Sequence, residues 1–154
     1  AAMREKLVGY EIHTLHKMFG RRLDLLFEEH NISKMQSWII HYLYRHREEE
    51  VFQKDIESHF QIAGSTVTGI LKELEREGYV TRCGVPSDAR LKRLALTEQG
   101  TAIQMEVFRI LDENEREIRR DIPEEDLETF FRVAESMKKN ISKTEEQRKE
   151  AASC

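Results

Sequence analysis

Gln53-Lys-Asp-Ile-Glu-Ser-His-Phe60, a break at Gln61 to Gly64, and Ser65-Thr-Val-Thr-Gly-Ile-Leu-Lys-Glu-Leu-Glu-Arg-Glu77 form two helical patterns in close succession. So short a break packs the helices at a steep angle. In the second, Val67, Ile70, Leu71 and Leu74 fall at helical spacing and make one apolar stripe, while Ser65, Thr66, Thr68, Gly69 and Lys72 point elsewhere. Small hydroxyl side chains therefore gather at a helix start, beside unpaired backbone N–H groups and the positive end of the dipole, which suits a phosphate or a base edge in a major groove. The blander reading is a capped and solvated helix.

The segment downstream favours the first reading. Gly78 ends the helix, Tyr79-Val-Thr-Arg-Cys83 reads as a short strand, Gly84-Val-Pro-Ser-Asp88 as a turn, and Leu91-Lys-Arg-Leu-Ala-Leu96 as the returning strand. The hairpin is a wing with a long basic tip. Arg90 has the reach for a minor groove, where narrow A·T-rich stretches concentrate negative potential. Asp88, two residues earlier, is placed to orient Arg90 through a charge-assisted pair. Taken alone, the same residues also fit a solvated loop with a surface ion pair.

Four segments together resemble the MarR (multiple antibiotic resistance regulator) family of winged helix-turn-helix regulators: Gln53-Lys-Asp-Ile, Ser65-Thr-Val-Thr, Leu74-Glu-Arg-Glu-Gly78-Tyr-Val-Thr-Arg82 and Asp88-Ala-Arg90-Leu-Lys92-Arg-Leu-Ala-Leu-Thr97-Glu-Gln-Gly100. The resemblance covers nearly the whole chain. It implies a mainly α fold with a small β-hairpin wing: a winged helix-turn-helix flanked by N- and C-terminal dimerisation helices. The expected organisation is residues 3–32 as the N-terminal dimerisation helix, 33–97 as the DNA-binding domain, 98–142 as the C-terminal dimerisation helices and 143–154 as a disordered tail. Ser65, Thr66, Thr68 and Lys72 are expected in the major groove, Arg90 in the minor groove with Asp88 supporting it, and Arg82, Lys92 and Arg93 on phosphates. By the same resemblance a small aromatic or anionic effector binds a crevice involving His16, Trp38 and His41. The chain departs from the family at Phe52 and Ala63, where capping side chains are usual, and at Gly69, where many members carry Arg. Each missing cap costs about 1 kcal/mol.

The composition is compatible with this. A chain of 154 residues with 39% hydrophobic content is long enough for one sizeable core. Its net charge of −4 would not by itself suggest nucleic acid. The acidity is uneven, however: residues 52–97 carry 7 basic and 6 acidic side chains, whereas residues 98–154 carry 10 and 15. A nearly neutral module on an acidic scaffold binds DNA with modest, strongly salt-dependent nonspecific affinity.

The flanks read as long amphipathic helices. Val8, Ile12, Leu15, Phe19, Leu23 and Leu26 recur at helical spacing, widened by Met18 and Leu25. Ser33 with Gln36 makes a capping box ahead of Met35, Trp38, Ile39, Tyr42 and Leu43 as a buried side. Thr97 caps a helix with Ile103, Val107, Ile110, Leu111 and Ile118, and Pro123 opens another with Leu127, Phe130, Phe131, Ala134, Met137 and Ile141. Such stripes are expected to be buried in a two-fold homodimer that straddles a pseudo-palindromic site on double-stranded DNA, the alternative being a bundle within a monomer.

Cys83 and Cys154 form neither a metal motif nor a disulfide framework, and no stretch reaches transmembrane length, so a reducing, cytoplasmic setting without membrane contact is expected. Arg4, Glu5 and Lys6 precede no continuous apolar run, and Ala1-Ala2 ahead of Met3 read as an expression scar. The pairs His13/His16 and His41/His46 lack zinc-site spacing, and there is no phosphate loop, nucleophile elbow or HExxH helix, so no cofactor and no enzymatic chemistry are expected. Two alternatives stay open: a winged-helix protein-interaction scaffold without DNA affinity, and a metal-responsive regulator.

Overall fold

The computed structural model describes residues 6–152; the readings of Ala1-Ala2, Arg4, Glu5 and Cys154 lie outside the described residues. The elements in order are α1 (Val8–Glu29), α2 (Lys34–Arg45), α3 (Gln53–Phe60), α4 (Gly64–Arg76), β1 (Val80–Val85), β2 (Asp88–Leu96), α5 (Glu98–Arg119) and α6 (Glu124–Ala152). They fall into two units divided between Asp112 and Glu113, within α5. The fold is mainly helical with one two-stranded antiparallel sheet, as the sequence implies.

In the first unit one apolar core joins α2, α3, α4 and the hairpin. Ile39, Ile40, Ile56, Val67, Leu71 and Leu74 are all at 0% exposure, with Leu43, Val51, Val80 and Leu94 nearly so. Side chains of this size contribute about 1.5–3 kcal/mol each when fully buried. Local signals set the helix ends. Gln36 N–H donates to Ser33 Oγ at 3.1 Å and Ser33 N–H to Gln36 Oε1 at 2.9 Å, completing the expected capping box of α2. Past α4, Gly78 takes φ +81, Tyr79 N–H reaches Leu74 O and Gly78 N–H reaches Glu75 O, which is the Schellman pattern. Thr97 Oγ1 accepts from Gly100 N–H at the start of α5 and donates to Gly78 O at 2.6 Å, tying the end of α4 to the start of α5.

The hairpin differs from the sequence expectation. Its turn is only Pro86-Ser87, and β1 and β2 run on to Val85 and Asp88. The extra length is absorbed in β2: Gly84 pairs with Lys92 but Val85 with Asp88, so Ala89, Arg90 and Leu91 bulge from the ladder. Proline suits the first central position of a tight turn, and the bulge takes the residues that a longer loop would have held. Leu94 N–H donates to Val51 O at 2.8 Å, which anchors the hairpin base to the segment before α3.

Two further expectations are corrected. Trp38 is 47% exposed rather than core, because Ile39, Ile40 and Leu43 fill the inward side of α2 and leave the indole at the rim beside Phe60. Residues 143–152, expected as a disordered tail, continue α6 as helix. Their Lys, Glu, Gln, Arg and Ala side chains are strong helix formers even without a face to bury. Phe130, Phe131 and Ile141 of α6 are exposed, and so are Val8, Ile12, Leu15, Met18 and Phe19 of α1.

Gly100 leaves no room for a side chain, since a Cβ there would stand 2.1 Å from Tyr79 O. Gly100→Ala is expected to cost about 1–3 kcal/mol by forcing the hairpin base away from α5, read as a lowered urea midpoint; an unchanged midpoint would contradict the packing described.

Candidate nucleic-acid interface

The site is built from the outward face of α4, the first turn of α3 and the bulged strand of the hairpin. Because Val67, Leu71 and Leu74 turn into the core, Ser65, Thr66, Gly69 and Lys72 are left exposed on α4. Thr68 behaves differently. Its hydroxyl donates to Gly64 O at 2.8 Å and accepts from Gln53 Nε2 at 2.9 Å, so both its hydrogen-bonding roles are taken inside the protein. Neither helix has a side-chain cap from Phe52 or Ala63, though Phe52 N–H donates to Asp55 Oδ2 at 2.8 Å.

On the hairpin, Arg90 sits in the bulge with its side chain 93% exposed. Asp88 Oδ1 accepts from Arg90 N–H at 2.9 Å and lies 3.5 Å from the guanidinium Nε, so the one carboxylate contacts both the backbone and the side chain of Arg90. Lys92 is exposed. Arg93 stands 4.0 Å from Glu50, and Arg82 is turned inward with Nε 3.0 Å from Glu75 Oε2. Arg82 therefore reaches an incoming phosphate only by leaving Glu75.

A groove of about 630 Å³ separates α3 from β2, lined by Gln53, Lys54, Asp55, Glu57, Arg82, Arg90 and Lys92 among others. Nothing local in the sequence marks Gln53 and Lys54 as lining this groove, because only their placement opposite the hairpin brings them to it. The same holds for Glu57, whose carboxylate lies against Gly64.

The crevice residues separate. Trp38 and His41 line a cleft of about 730 Å³ together with Tyr42, Arg45, His46, Glu49, His59 and Phe60. Trp38 and Phe60 are parallel with ring centroids 6.3 Å apart, and Tyr42 lies against His46 and His59. His16, on α1, does not line this cleft. Burial, reinforced by the Arg45 charge, lowers the His41 pKa from its ordinary value of 6.5. His41 Nδ1 also lies 3.3 Å from Nε2 of Gln104, a fully buried residue of α5. Among the described residues no cluster of three His, Cys, Asp or Glu side chains is arranged to hold a metal ion, and no helix is long and apolar enough to cross a membrane.

Two helices in contact across a three-residue break, Gln61 to Ala63, followed by a hairpin, define a winged helix-turn-helix protein. A MarR family model matches residues 30–91. An HTH-type transcriptional regulator of Bacillus subtilis (strain 168), YdgJ, is 29% identical over 96 residues, a match spanning 62% of this chain and 56% of that protein. Among solved structures, MepR, a transcription regulator of the Staphylococcus aureus multidrug efflux pump MepA, matches with a TM-score of 0.82 at 25% identity, covering 88% of this chain and 99% of that one. A complex of S. aureus MepR with DNA matches with a TM-score of 0.68 at 26% identity, covering 86% and 98%. Residues 30–91, the winged helix-turn-helix part of the chain, are thus similar to the MarR family.

Two outcomes follow from this geometry. Thr68→Val removes the bonds of its hydroxyl to Gln53 and Gly64 O while Gln53 Nε2 keeps Gly64 O and Glu57 Oε1, and is expected to cost about 0.5–1.5 kcal/mol of stability in urea unfolding, with Thr68→Ser recovering most of it; equal stability of all three proteins would contradict the bonding described. For His41, the lowered folded pKa means that the unfolded chain binds more protons as pH falls below 6.5, so this residue contributes a loss of stability on acidification. Unfolding midpoints of the native protein and His41→Gln between pH 7.5 and about 5.5 are expected to diverge toward acid, with the variant less pH-sensitive; parallel curves would contradict the assignment.

Proposed function

We propose that this chain is a homodimeric repressor in the cytoplasm that binds pseudo-palindromic operators in duplex DNA and is released by a small aromatic or anionic effector. The single observation that carries the reading is the pairing of an exposed polar face on α4 with an arginine held outside the hairpin ladder, both fixed to one buried core. Ser65, Thr66 and Lys72 meet the major groove from α4, with Gly69 allowing close approach. Arg90 enters the minor groove, steadied by Asp88. Lys92 and Arg93 meet phosphates, and Arg82 joins them when it exchanges Glu75 for DNA. Thr68 supports the arrangement through Gln53 and Gly64 O, and its methyl group is the part left for an apolar contact.

Dimerisation supplies the spacing. The apolar side chains exposed on α1, and separately those on α6, form faces of a kind that monomers rarely leave to water. We assign their cover to a second copy of the chain, which sets two reading heads about 34 Å apart on successive major grooves. A dimer seated over a promoter blocks polymerase, hence repression. The cleft at Trp38 and His41 receives the effector: its parallel rings suit a planar aromatic body, and Arg45 supplies a positive charge. A ligand that favours one arrangement of the heads over the other tunes DNA affinity by that difference.

The reading is tested by titrating duplexes with native protein, Arg90→Ala and Lys72→Ala across a salt series. Arg90→Ala is expected to weaken binding at least tenfold while sedimentation still reports a dimer, and Lys72→Ala to lower the salt slope by about one. Unaltered binding by Arg90→Ala would remove the wing assignment, and a monomer in sedimentation would remove the two-fold geometry.

A further inference from the structure

The groove between α3 and β2 is lined by four cationic side chains, Lys54, Arg82, Arg90 and Lys92, against two carboxylates, Asp55 and Glu57. Both carboxylates are committed to the start of α3: Asp55 Oδ2 accepts from Phe52 N–H at 2.8 Å, and Glu57 Oε1 accepts from Gln53 Nε2 at 3.0 Å. Arg82 and Arg90 have acidic partners in Glu75 and Asp88. Arg82 nonetheless keeps Nε and Nη2 enclosed without a hydrogen-bond partner, the 3.0 Å approach of Nε to Glu75 Oε2 being a contact of charge alone. Lys54 and Lys92, both exposed, form no ion pair among the described residues.

The position of the groove points to what fills it. One wall adjoins the reading helix, since Gln53 Nε2 donates to Thr68 Oγ1 at 2.9 Å and to Gly64 O at 3.2 Å. The other carries Arg90 in its bulge. In a duplex, neighbouring major and minor grooves are separated by a single sugar-phosphate strand. A duplex that meets α4 with its major groove and Arg90 with the adjacent minor groove therefore lays that strand between them, along the cation-lined channel.

We propose that this groove seats the phosphodiester strand running between the two readouts, and that Lys54 is its phosphate anchor on the α3 wall, with Lys92 on the β2 wall. The inference rests on the DNA-binding reading above and adds to it a residue that fixes register. Lys54 stands on a helix whose Ile56 shares one buried core with Val67 of α4 and Leu94 of β2. A phosphate held at Lys54 therefore sets how far the base pairs under α4 lie from those at Arg90. Because it grips the backbone, Lys54 strengthens binding on every sequence alike.

The test uses the tightest-binding duplex found for the native protein, prepared as a set in which one backbone phosphate at a time is a neutral methylphosphonate. Native protein, Lys54→Gln, Lys54→Arg and Lys143→Gln are titrated with each duplex, and with the unmodified duplex over a salt series. Lys143→Gln makes the same change in net charge as Lys54→Gln, on an exposed position of α6. Lys54→Gln is expected to bind the unmodified duplex at least about fivefold more weakly, with a salt slope lower by about one per protomer, while Lys54→Arg and Lys143→Gln match the native protein. Neutralising one phosphate in each half-site, on the strand between the base pairs under α4 and the minor groove, is expected to weaken native binding about fivefold and to leave Lys54→Gln nearly unaffected. That coupling marks a direct contact. A circular-dichroism melt verifies that each variant is folded. Penalties that are the same for native protein and Lys54→Gln at every phosphate overturn the assignment, and so do unchanged binding by folded Lys54→Gln and an equal loss in Lys143→Gln. Native protein that binds no duplex at all overturns the DNA-binding reading and the anchor with it, a result distinct from native binding to which Lys54 is indifferent.

Discussion

The burial of Val67, Leu71 and Leu74 against the residues of α2, α3 and the hairpin is the constraint on which the rest of the molecule depends. With those three side chains at 0% exposure, α4 has no rotational freedom about its axis, and the identity of its outward face follows. The same core takes Leu94 from β2 and Val51 from the segment before α3, so the hairpin and the reading helix are positioned by one packing arrangement. Close-packed interiors resist continuous deformation, and a reading head built this way moves as a body.

Electrostatics then decide which of the available cations act. A winged module close to neutral, on a chain of net charge −4, cannot rely on bulk attraction to a polyanion. Two of its arginines are engaged within the protein, Arg82 with Glu75 and Arg93 with Glu50. Arg90 lies at the opposite extreme, held clear of the ladder by the bulge and beside a single carboxylate. Exposed ion pairs of this kind are worth little in water, so a phosphate competes for these arginines at low cost, more readily for half-exposed Arg93 than for inward-turned Arg82. On the proposed DNA-binding reading, affinity is thereby concentrated in a few contacts.

What the sequence disclosed was local or periodic. The Ser33–Gln36 capping box, Gly78 after α4 and Thr97 before α5 are each specified within four residues, and the stripe on α4 follows from its 3.6-residue period. The features that needed coordinates are tertiary. Pro86-Ser87 compresses the turn and shifts the irregularity to residues 89–91, a choice that depends on strand pairing rather than on turn composition. Trp38 belongs to an apolar stripe wider than the core it faces, so period alone could not distinguish rim from interior. The hydroxyl of Thr68 looks like a base reader until Gln53, 15 residues earlier, is found bonded to it. Glu57 and Lys54 carry no local signal of the groove they line, because only tertiary packing sets them opposite the hairpin. In residues 143–152, the absence of an apolar stripe suggested a tail where helix propensity alone gives a helix.

The central claim, that two copies of one rigid reading head address duplex DNA together, is tested most directly by selecting bound duplexes from a randomised pool at moderate salt with the native protein. The account predicts enrichment of an inverted repeat whose half-sites are centred about one helical turn apart. Failure to enrich any sequence, together with an absence of binding that lowering the salt does not relieve, would contradict it and favour a winged-helix scaffold that contacts protein instead.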